Sequence, residues 1–440
     1  MAAPVITSAA LPEADAAAGP QPSYTSALAS LTVLFFMMGF ITCLNDILIP
    51  FMKAIFGLNY TQANLINLCF FGAYFIMGIP AGKLVKRLGY KQGMLAGFLI
   101  AAGGCFLFYP AAASRSYPIF LSALFVLATG VVLLQVSGNP YVAILGPPRT
   151  ASARLTLTQA FNSLGTTVAP LLGSALILSH LPDLSTAAAN AAANIDVRAV
   201  QVPYLAIGGV LLVLSGLLAL LKLPRMQSAE TQAPEPGRHA WHYQNLVLGM
   251  LGIFAYVGAE VAIGSHLVSY LSLPEVAGLS PKLAGDKVAL YWGGAMVGRF
   301  IGAYLLSRFR PTRMLVIAAA GAIVLIVISM NTHHAVAMYS LLAVGLMNSI
   351  MFATIFTLAV AGLGWHTEEA SGLLNVAIVG GALVPLLFGQ VADLSSLHWA
   401  LVLPVVCYAY IMWYGMRGYE PRMASYYQPA VPAQVPITGL

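Results

Sequence analysis

Charge is what this chain has least of. Among 440 residues there are 20 Lys and Arg and 14 Asp and Glu, 8% of the sequence, where soluble globular domains carry about 25%. A water-soluble fold of this length needs a charged skin over two or three cores, and so few charges do not provide one. Soluble enzymes, nucleic-acid binders and coiled coils are therefore excluded. Cysteine is also scarce. Cys43, Cys69, Cys105 and Cys407 all sit in apolar stretches, and there is no CxxC, so they read as small buried apolar residues outside any disulfide framework. The eight histidines show no HExxH or other metal spacing, and no Walker loop is present; no metal, no resident cofactor and no ATP-driven cycle are expected.

What is abundant is apolar sequence, 59% of the chain. Twelve apolar stretches recur, at about 25–49, 62–82, 92–112, 117–144, 151–179, 201–223, 244–272, 287–307, 312–331, 335–363, 370–391 and 398–416. Each is long enough for a helix to cross a hydrocarbon core of ~30 Å. They are too long for barrel strands and lack alternation, and an open chain satisfies its backbone in lipid only as helix. The fold class is an all-α membrane protein of twelve transmembrane helices.

Lys and Arg set the orientation. With the N-terminus inside, fourteen basic residues face the cytoplasm, including Lys83, Lys86, Arg87, Lys91, Arg149, Arg154, Arg308 and Arg310. Five (Lys53, Arg115, Arg198, Lys282 and Lys287) face outward, and Arg299 lies within a span. Both termini are expected inside. The domain organisation follows: a disordered tail over 1–22, a six-helix half over 23–223, a cytoplasmic central loop over 224–243, a second six-helix half over 244–419 and a cytoplasmic tail over 420–440.

The two halves resemble each other. Gly78-Ile-Pro-Ala-Gly82 in the second span has its counterpart in Gly298-Arg-Phe-Ile-Gly302 in the eighth, each a GxxxG that permits close helix approach. Gly165-TTVA-Pro170-Leu-Leu in the fifth span is matched by Gly380-GALV-Pro385-Leu-Leu in the eleventh. A parallel repeat of two six-helix halves is the architecture of major facilitator transporters, which bind substrate near the midplane between the halves.

Four stretches sharpen this reading: LNDILIP (Leu44–Pro50), GIPAGKLVKRLGYKQG (Gly78–Gly93), LLQVSGNPYVAILG (Leu133–Gly146) and LTQAFNSLG (Leu157–Gly165). Together they resemble the fucose–galactose–glucose:proton symporter family of the major facilitator superfamily. The LLQVSGNPY stretch and YVGAEVAIGS (Tyr256–Ser265) look more like its glucose/galactose branch. The fucose branch has Glu where this chain has Gln135, and an uncharged amide at Glu260.

Charged groups inside a span cost roughly 2.5–3.5 kcal/mol on an insertion scale, so each needs a reason. Asp46 in the first span reads as a proton-coupling acid, the role the family resemblance also implies. Glu260 in the seventh span is read as binding sugar hydroxyls, titrating, or both, because a carboxylate accepts from two hydroxyls at once; the plainer alternatives are a pair with Arg299 or a charge at a helix end. Arg299 itself is read as gating or structural. Gln135 and Asn139 share one face of the fourth span, and Gln159 and Asn162 one face of the fifth. Amides donate and accept as sugar hydroxyls do, and the resemblance implies sugar contacts for Gln159 and Asn162. Asn348, Asn375, Phe161, Tyr291 and Trp292 are weaker candidates. His266 reads as an ordinary polar residue on the outer side.

The expected function is proton-coupled import of a hexose of the glucose/galactose type by alternating access across a bacterial inner membrane. N-acetylglucosamine, L-fucose or sodium coupling remain alternatives, and a drug/proton efflux antiporter is a more remote one. The expected partners are a small sugar and the lipid bilayer, with no nucleic acid, and the carrier is expected to be a monomer.

Overall fold

The computed structural model describes residues 25–56, 60–176, 198–221, 223 and 239–421. The expected N-terminal tail, most of the central loop and the C-terminal tail beyond residue 421 lie outside the described residues. In the first half, α1 (Thr25–Phe56), α2 (Tyr60–Leu88), α3 (Tyr90–Ala113), α4 (Tyr117–Ile144), α5 (Ala151–Leu176) and α6 (Arg198–Leu220) are single rods. In the second, α7 (Gln244–Leu271), α8 (Pro281–Arg308) and α9 (Pro311–Asn331) are again single rods. The last three spans are divided. The tenth is α10 (His334–Asn348) followed by α11 (Met351–Ala359), the eleventh is α12 (Thr367–Val376) and α13 (Gly380–Leu394), and the twelfth is α14 (Leu397–Ala400) and α15 (Val402–Trp413). Nine spans among the described residues are individually long and apolar enough to cross a membrane. All twelve sequence stretches are helical through most of their described residues, and the chain is a multi-pass membrane protein.

Local chemistry sets the ends of these helices. Gly89 joins α2 to α3 at φ 84°, a left-handed conformation open to a residue without Cβ. Ser280 accepts from the Leu283 N–H, with Pro281 in the first turn of α8, the usual start signal. Basic side chains cover the free carbonyls at helix C-termini, where the dipole is negative. The Lys91 ammonium donates to Ala219 O and Leu221 O at 2.7 and 2.8 Å, and the Arg154 guanidinium donates to Val142 O and Ala143 O beyond the middle of α4. Asn245 does the same for α11 through Leu358 O, Ala359 O and Ala361 O. Basic residues that read as orientation signals in the sequence thus also stop helices.

The repeat seen in the sequence is a repeat in packing. Within the first half α1 lies on α5, α2 on α4, and α3 on α4 and α6; within the second α7 lies on α13, α8 on α10, and α9 on α10 and α15. A Cβ on Gly165 would stand 2.1 Å from Phe36 O of α1, and one on Gly380 would stand 2.2 Å from Phe254 O of α7. The paired Gly-x4-Pro motifs therefore do one job twice: each lets a helix backbone rest on the first helix of its half.

Between halves, α2 meets α12 and α5 meets α8, a pseudo-symmetric exchange of partners. The contacts gather toward the end of the bundle that carries Lys86, Arg87, Arg154 and Arg308, here the basic end. There Gly78 lies against Gly372 O, Gly82 lies against Glu368 O, and the hydroxyls of Ser152 and Thr357 are 2.6 Å apart and buried. The two GxxxG motifs differ in use. Gly78 and Gly82 face the other half, whereas Gly298 and Gly302 seat α8 on Ser349 and Ile350 of its own half.

Candidate functional site

Above the basic-end seam, between the halves, is a cavity of about 230 Å³. Its first-half wall holds Gln135 of α4, Gln159 and Asn162 of α5, Thr42 of α1 and the rings Phe70, Phe71 and Tyr74 of α2. Its second-half wall holds Tyr256 and Glu260 of α7, Arg299 of α8, and Ser349, Phe352 and Ile378 from the divided tenth and eleventh spans. Helical spacing places Gln159 and Asn162 on one face, and the approach of α1 to α5 at Gly39 and Gly165 turns that face inward. A polar row of this kind is too costly to leave against lipid.

The amides are held differently. Gln135 donates to the Tyr74 hydroxyl at 3.0 Å, which orients it with its carbonyl oxygen left for a ligand. Asn162 donates to Phe35 O at 3.0 Å, a bond that ties α5 to α1 and again leaves the amide oxygen. Gln159 lines the cavity beside them. Across the cavity Glu260 is 8% exposed, and its Oε1 lies 3.8 Å from Arg299 Nη2. The guanidinium also donates to Ser163 of α5, so Arg299 links the halves at the cavity edge. A carboxylate paired at that distance keeps lone pairs for hydroxyl donors.

Behind Glu260 lies a buried network. Tyr408 donates to Asn348 Oδ1 at 2.7 Å, Asn348 Nδ2 donates to the Tyr291 hydroxyl at 2.8 Å, and that hydroxyl donates to Glu260 O at 3.1 Å. Four helices thereby fix the backbone that presents Glu260.

Of the sequence candidates, Gln135, Gln159, Asn162, Glu260 and Arg299 come together. The Asp46 side chain lies outside the described residues; α1 is helical through that position, four residues past the cavity residue Thr42. Asn139 is fully buried and lies off the cavity wall, one turn below Gln135 toward the basic end. Asn348 and Tyr291 support the site and do not face it. Phe161 packs edge-on to Phe300 with centroids 5.9 Å apart, Trp292 covers Gly264, and His266 bonds its own helix at Ala262 O, 2.9 Å, and packs at a tilt against Phe388. The aromatic faces at the cavity are others: Phe70 with Tyr74, centroids 5.5 Å apart, and Tyr256 with Phe352, 6.4 Å apart. Their sequence signal is proximity to the amide and acid residues in the folded bundle, which linear spacing does not carry.

Two backbone breaks also reach this level. The tenth span turns at Ser349–Ile350 and the eleventh tightens to a 3₁₀ turn at Ala377–Val379, and Ser349 and Ile378 line the cavity. Irregular backbone at membrane depth is tolerated where it borders a cavity. The unbroken apolar run over 335–363 gave no sign of it.

Two six-helix halves, a midplane cavity polar on both walls and helices broken beside it define a secondary transporter. The Major Facilitator Superfamily model matches residues 29–385, and the chain belongs to that superfamily and, within it, to the fucose–galactose–glucose:proton symporter family. It is 55% identical over 399 residues to the glucose/galactose transporter of Brucella abortus, spanning 90% of this chain and 95% of that one. It is 35% identical to the L-fucose-proton symporter of Escherichia coli K12, over 90% and 94% of the two chains. The solved structure of the major facilitator transporter FucP in the outward conformation superposes with a TM-score of 0.82 at 33% identity, covering 89% of this chain and 98% of that one.

Proposed function

We propose that this protein is a proton-coupled hexose importer of the glucose/galactose type, working by alternating access in a bacterial inner membrane with both termini in the cytoplasm. The observation that carries the reading is the convergence of Gln135, Gln159, Asn162 and Glu260 on one cavity between the halves. Three amides and a carboxylate supply the mixed donors and acceptors that a ring of hydroxyls requires, and the rings of Tyr74 and Phe352 offer faces to sugar C–H groups. The names of the two relatives support the same substrate class and, for one, proton coupling.

In this reading the basic end is cytoplasmic, as its lysines and arginines favour, and the seam there is the closed inner gate. The structure is then the outward-facing form, in keeping with its likeness to an outward-facing relative. A hexose enters from outside and binds the amide wall and Glu260. Asp46 takes a proton from the outer side, and the halves rock until the seam opens. The boundary between the moving halves falls in the loop over 224–243, with tails at 1–22 and 420–440 outside the two units. Moving one charge through 100 mV is worth about 2.3 kcal/mol, enough to hold a concentration ratio of tens. Gln135 in place of the fucose branch's acid favours D-glucose or D-galactose over L-fucose.

The test is uptake of labelled D-glucose, D-galactose, L-fucose and N-acetylglucosamine into proteoliposomes under an imposed pH gradient, with sodium and an uncoupler as controls. We expect D-glucose or D-galactose to accumulate with the proton gradient alone. Asp46→Asn should abolish accumulation and retain exchange of sugar across the membrane without a gradient. No accumulation of any sugar under either ion gradient would overturn the reading.

A further inference from the structure

Directly beneath the cavity, toward the basic end, lies a layer of buried polar side chains with unpaired atoms; of these side chains only Asn375 makes a bond among the described residues, its Nδ2 donating to Ser371 O at 2.9 Å. Asn139 is one turn below the cavity residue Gln135, Thr156 is one turn below Gln159, and Asn375 is one turn below Ile378, with Ser371 another turn down α12. Thr354 follows the cavity residue Ala353 on α11. All five are 0–1% exposed. Both side-chain polar atoms of Asn139, the hydroxyls of Thr156, Thr354 and Ser371, and Asn375 Oδ1 have no hydrogen-bond partner among the described residues.

These five come from both halves, on helices that pack across the seam, α4 with α12 and α5 with α11. Thr156 lies one turn above Ser152, and Thr354 one turn above Thr357; Ser152 and Thr357 are bonded to each other across the halves at 2.6 Å. Residues three or four apart share a helix face, so the two free threonines face the same junction. Asn139 and Asn375 sit on α4 and α12, which pack together. Other threonines of the bundle are paired. Thr357 returns its hydroxyl to Ala353 O at 2.9 Å and Thr129 to Phe125 O at 2.8 Å, the ordinary solution for a hydroxyl in a membrane helix. Thr156 and Thr354 make no such bond.

A buried polar group left unpaired costs about 1–3 kcal/mol, and a layer of them is retained where another state satisfies it. When the basic ends part, these groups become the walls of the opening immediately below the cavity. We propose that they form a second sugar subsite, empty of function in this closed state, that takes a hexose through its ring hydroxyls on its way out of the cavity. Three hydroxyls that both donate and accept, with two amides, match the chemistry of the cavity above. The hexose is thus passed from one hydroxyl-bonding layer to the next before it reaches water. This inference rests on the hexose reading above.

The experiment uses full-length protein carrying Thr156→Val with Thr354→Val, replacements of nearly equal volume, and separately Asn375→Leu, which keeps the number of heavy atoms. Equilibrium binding of labelled D-glucose reports the cavity, and D-glucose exchange in proteoliposomes reports passage. We expect binding to stay within about twofold of the parent protein and exchange to slow by about tenfold, the loss of one or two hydrogen bonds in the passing state. A series of monodeoxy-D-glucoses then separates contact from gating. At one ring position at least, removal of the sugar hydroxyl should slow exchange in the parent and add no further slowing in the variant.

Three results would overturn the subsite. Exchange at the parental rate would show that the layer touches nothing in transit. Binding that falls as far as exchange would assign the layer to the cavity or to folding. Deoxy sugars slowed equally in parent and variant would leave the layer as a gate that does not meet sugar. A parent protein that neither binds nor exchanges D-glucose or D-galactose overturns the hexose reading itself, and the subsite with it.

Discussion

Glu260 and Arg299 face each other across the edge of the central cavity at 3.8 Å, one on α7 and the other on α8, and the guanidinium reaches on to Ser163 in the opposite half. This cavity-lining acid is therefore coupled to the residue that joins the halves. Neutralising one member leaves the other charge without its partner at membrane depth.

Glu260→Gln should accordingly lower thermal stability, while Glu260→Gln combined with Arg299→Gln should recover part of it. Breaking a fully buried pair costs about 3–5 kcal/mol; at the cavity edge we expect about 1–3 kcal/mol for the single change. The melting temperatures of the purified proteins check this. Equal destabilisation in single and double variants would show that the two charges do not interact.

The packing repeat gives a prediction for each half. Gly165→Ala and Gly380→Ala each place a methyl about 2 Å from a neighbouring backbone carbonyl, and backbone does not yield as a side chain does. Overpacking costs about 1–3 kcal/mol or more, so both variants should show reduced folded yield. Gly103→Ala and Gly209→Ala, where nothing lies within 4 Å, should be neutral or slightly stabilising, since alanine favours helix over glycine by roughly 0.5–1 kcal/mol. Fluorescence size-exclusion profiles of the four variants distinguish these outcomes.

Asn348 is a support, and its substitution separates support from contact. Asn348→Leu leaves the hydroxyls of Tyr291 and Tyr408 without the amide that joins them. We expect a loss of about 2–4 kcal/mol, read as a lower melting temperature. At low temperature the affinity for D-glucose should change little. A fall in affinity with unchanged stability would place Asn348 at the sugar.

Gln135 gives a graded pair. Tyr74→Phe removes the hydroxyl that orients the amide and should weaken hexose binding by roughly threefold to tenfold, about one hydrogen bond's worth. Gln135→Leu removes the contact itself and should cost more, because a sugar hydroxyl then meets an apolar wall. Isothermal titration with D-glucose and D-galactose orders the two. Tyr74→Phe costing as much as Gln135→Leu would show that the tyrosine touches the sugar directly.

What the sequence made legible follows from what a bilayer penalises. Gln135, Gln159, Asn162 and Glu260 stood out because polar groups in an apolar run are expensive, and the cavity gathers all four. The Gly165 and Gly380 motifs stood out because they recur, and recurrence mapped onto identical packing. Phe70, Phe71, Tyr74 and Phe352 gave no such signal, since aromatics occur throughout the apolar spans and cost nothing there. Tyr291 and Asn348 looked alike to the sequence as sugar contacts. Only the long-range closure to Tyr408, 60 residues from Asn348, shows that they serve each other. The breaks at Ser349–Ile350 and Ala377–Val379 escaped notice because neither contains proline, and hydropathy is blind to a carbonyl that loses its helical partner.

The clasp of Gly78 on Gly372 has a dynamical consequence. Two glycine surfaces meeting backbone to backbone carry no rotamers to freeze on contact or to release on parting. The junction therefore behaves as a smooth bearing: apart from the Val376 side chain beside it, its separation releases little side-chain disorder, and heat should shift its balance little. Temperature sensitivity in the transport cycle would then arise from the hydroxyl and amide groups above the clasp, whose wetting changes as the halves move apart.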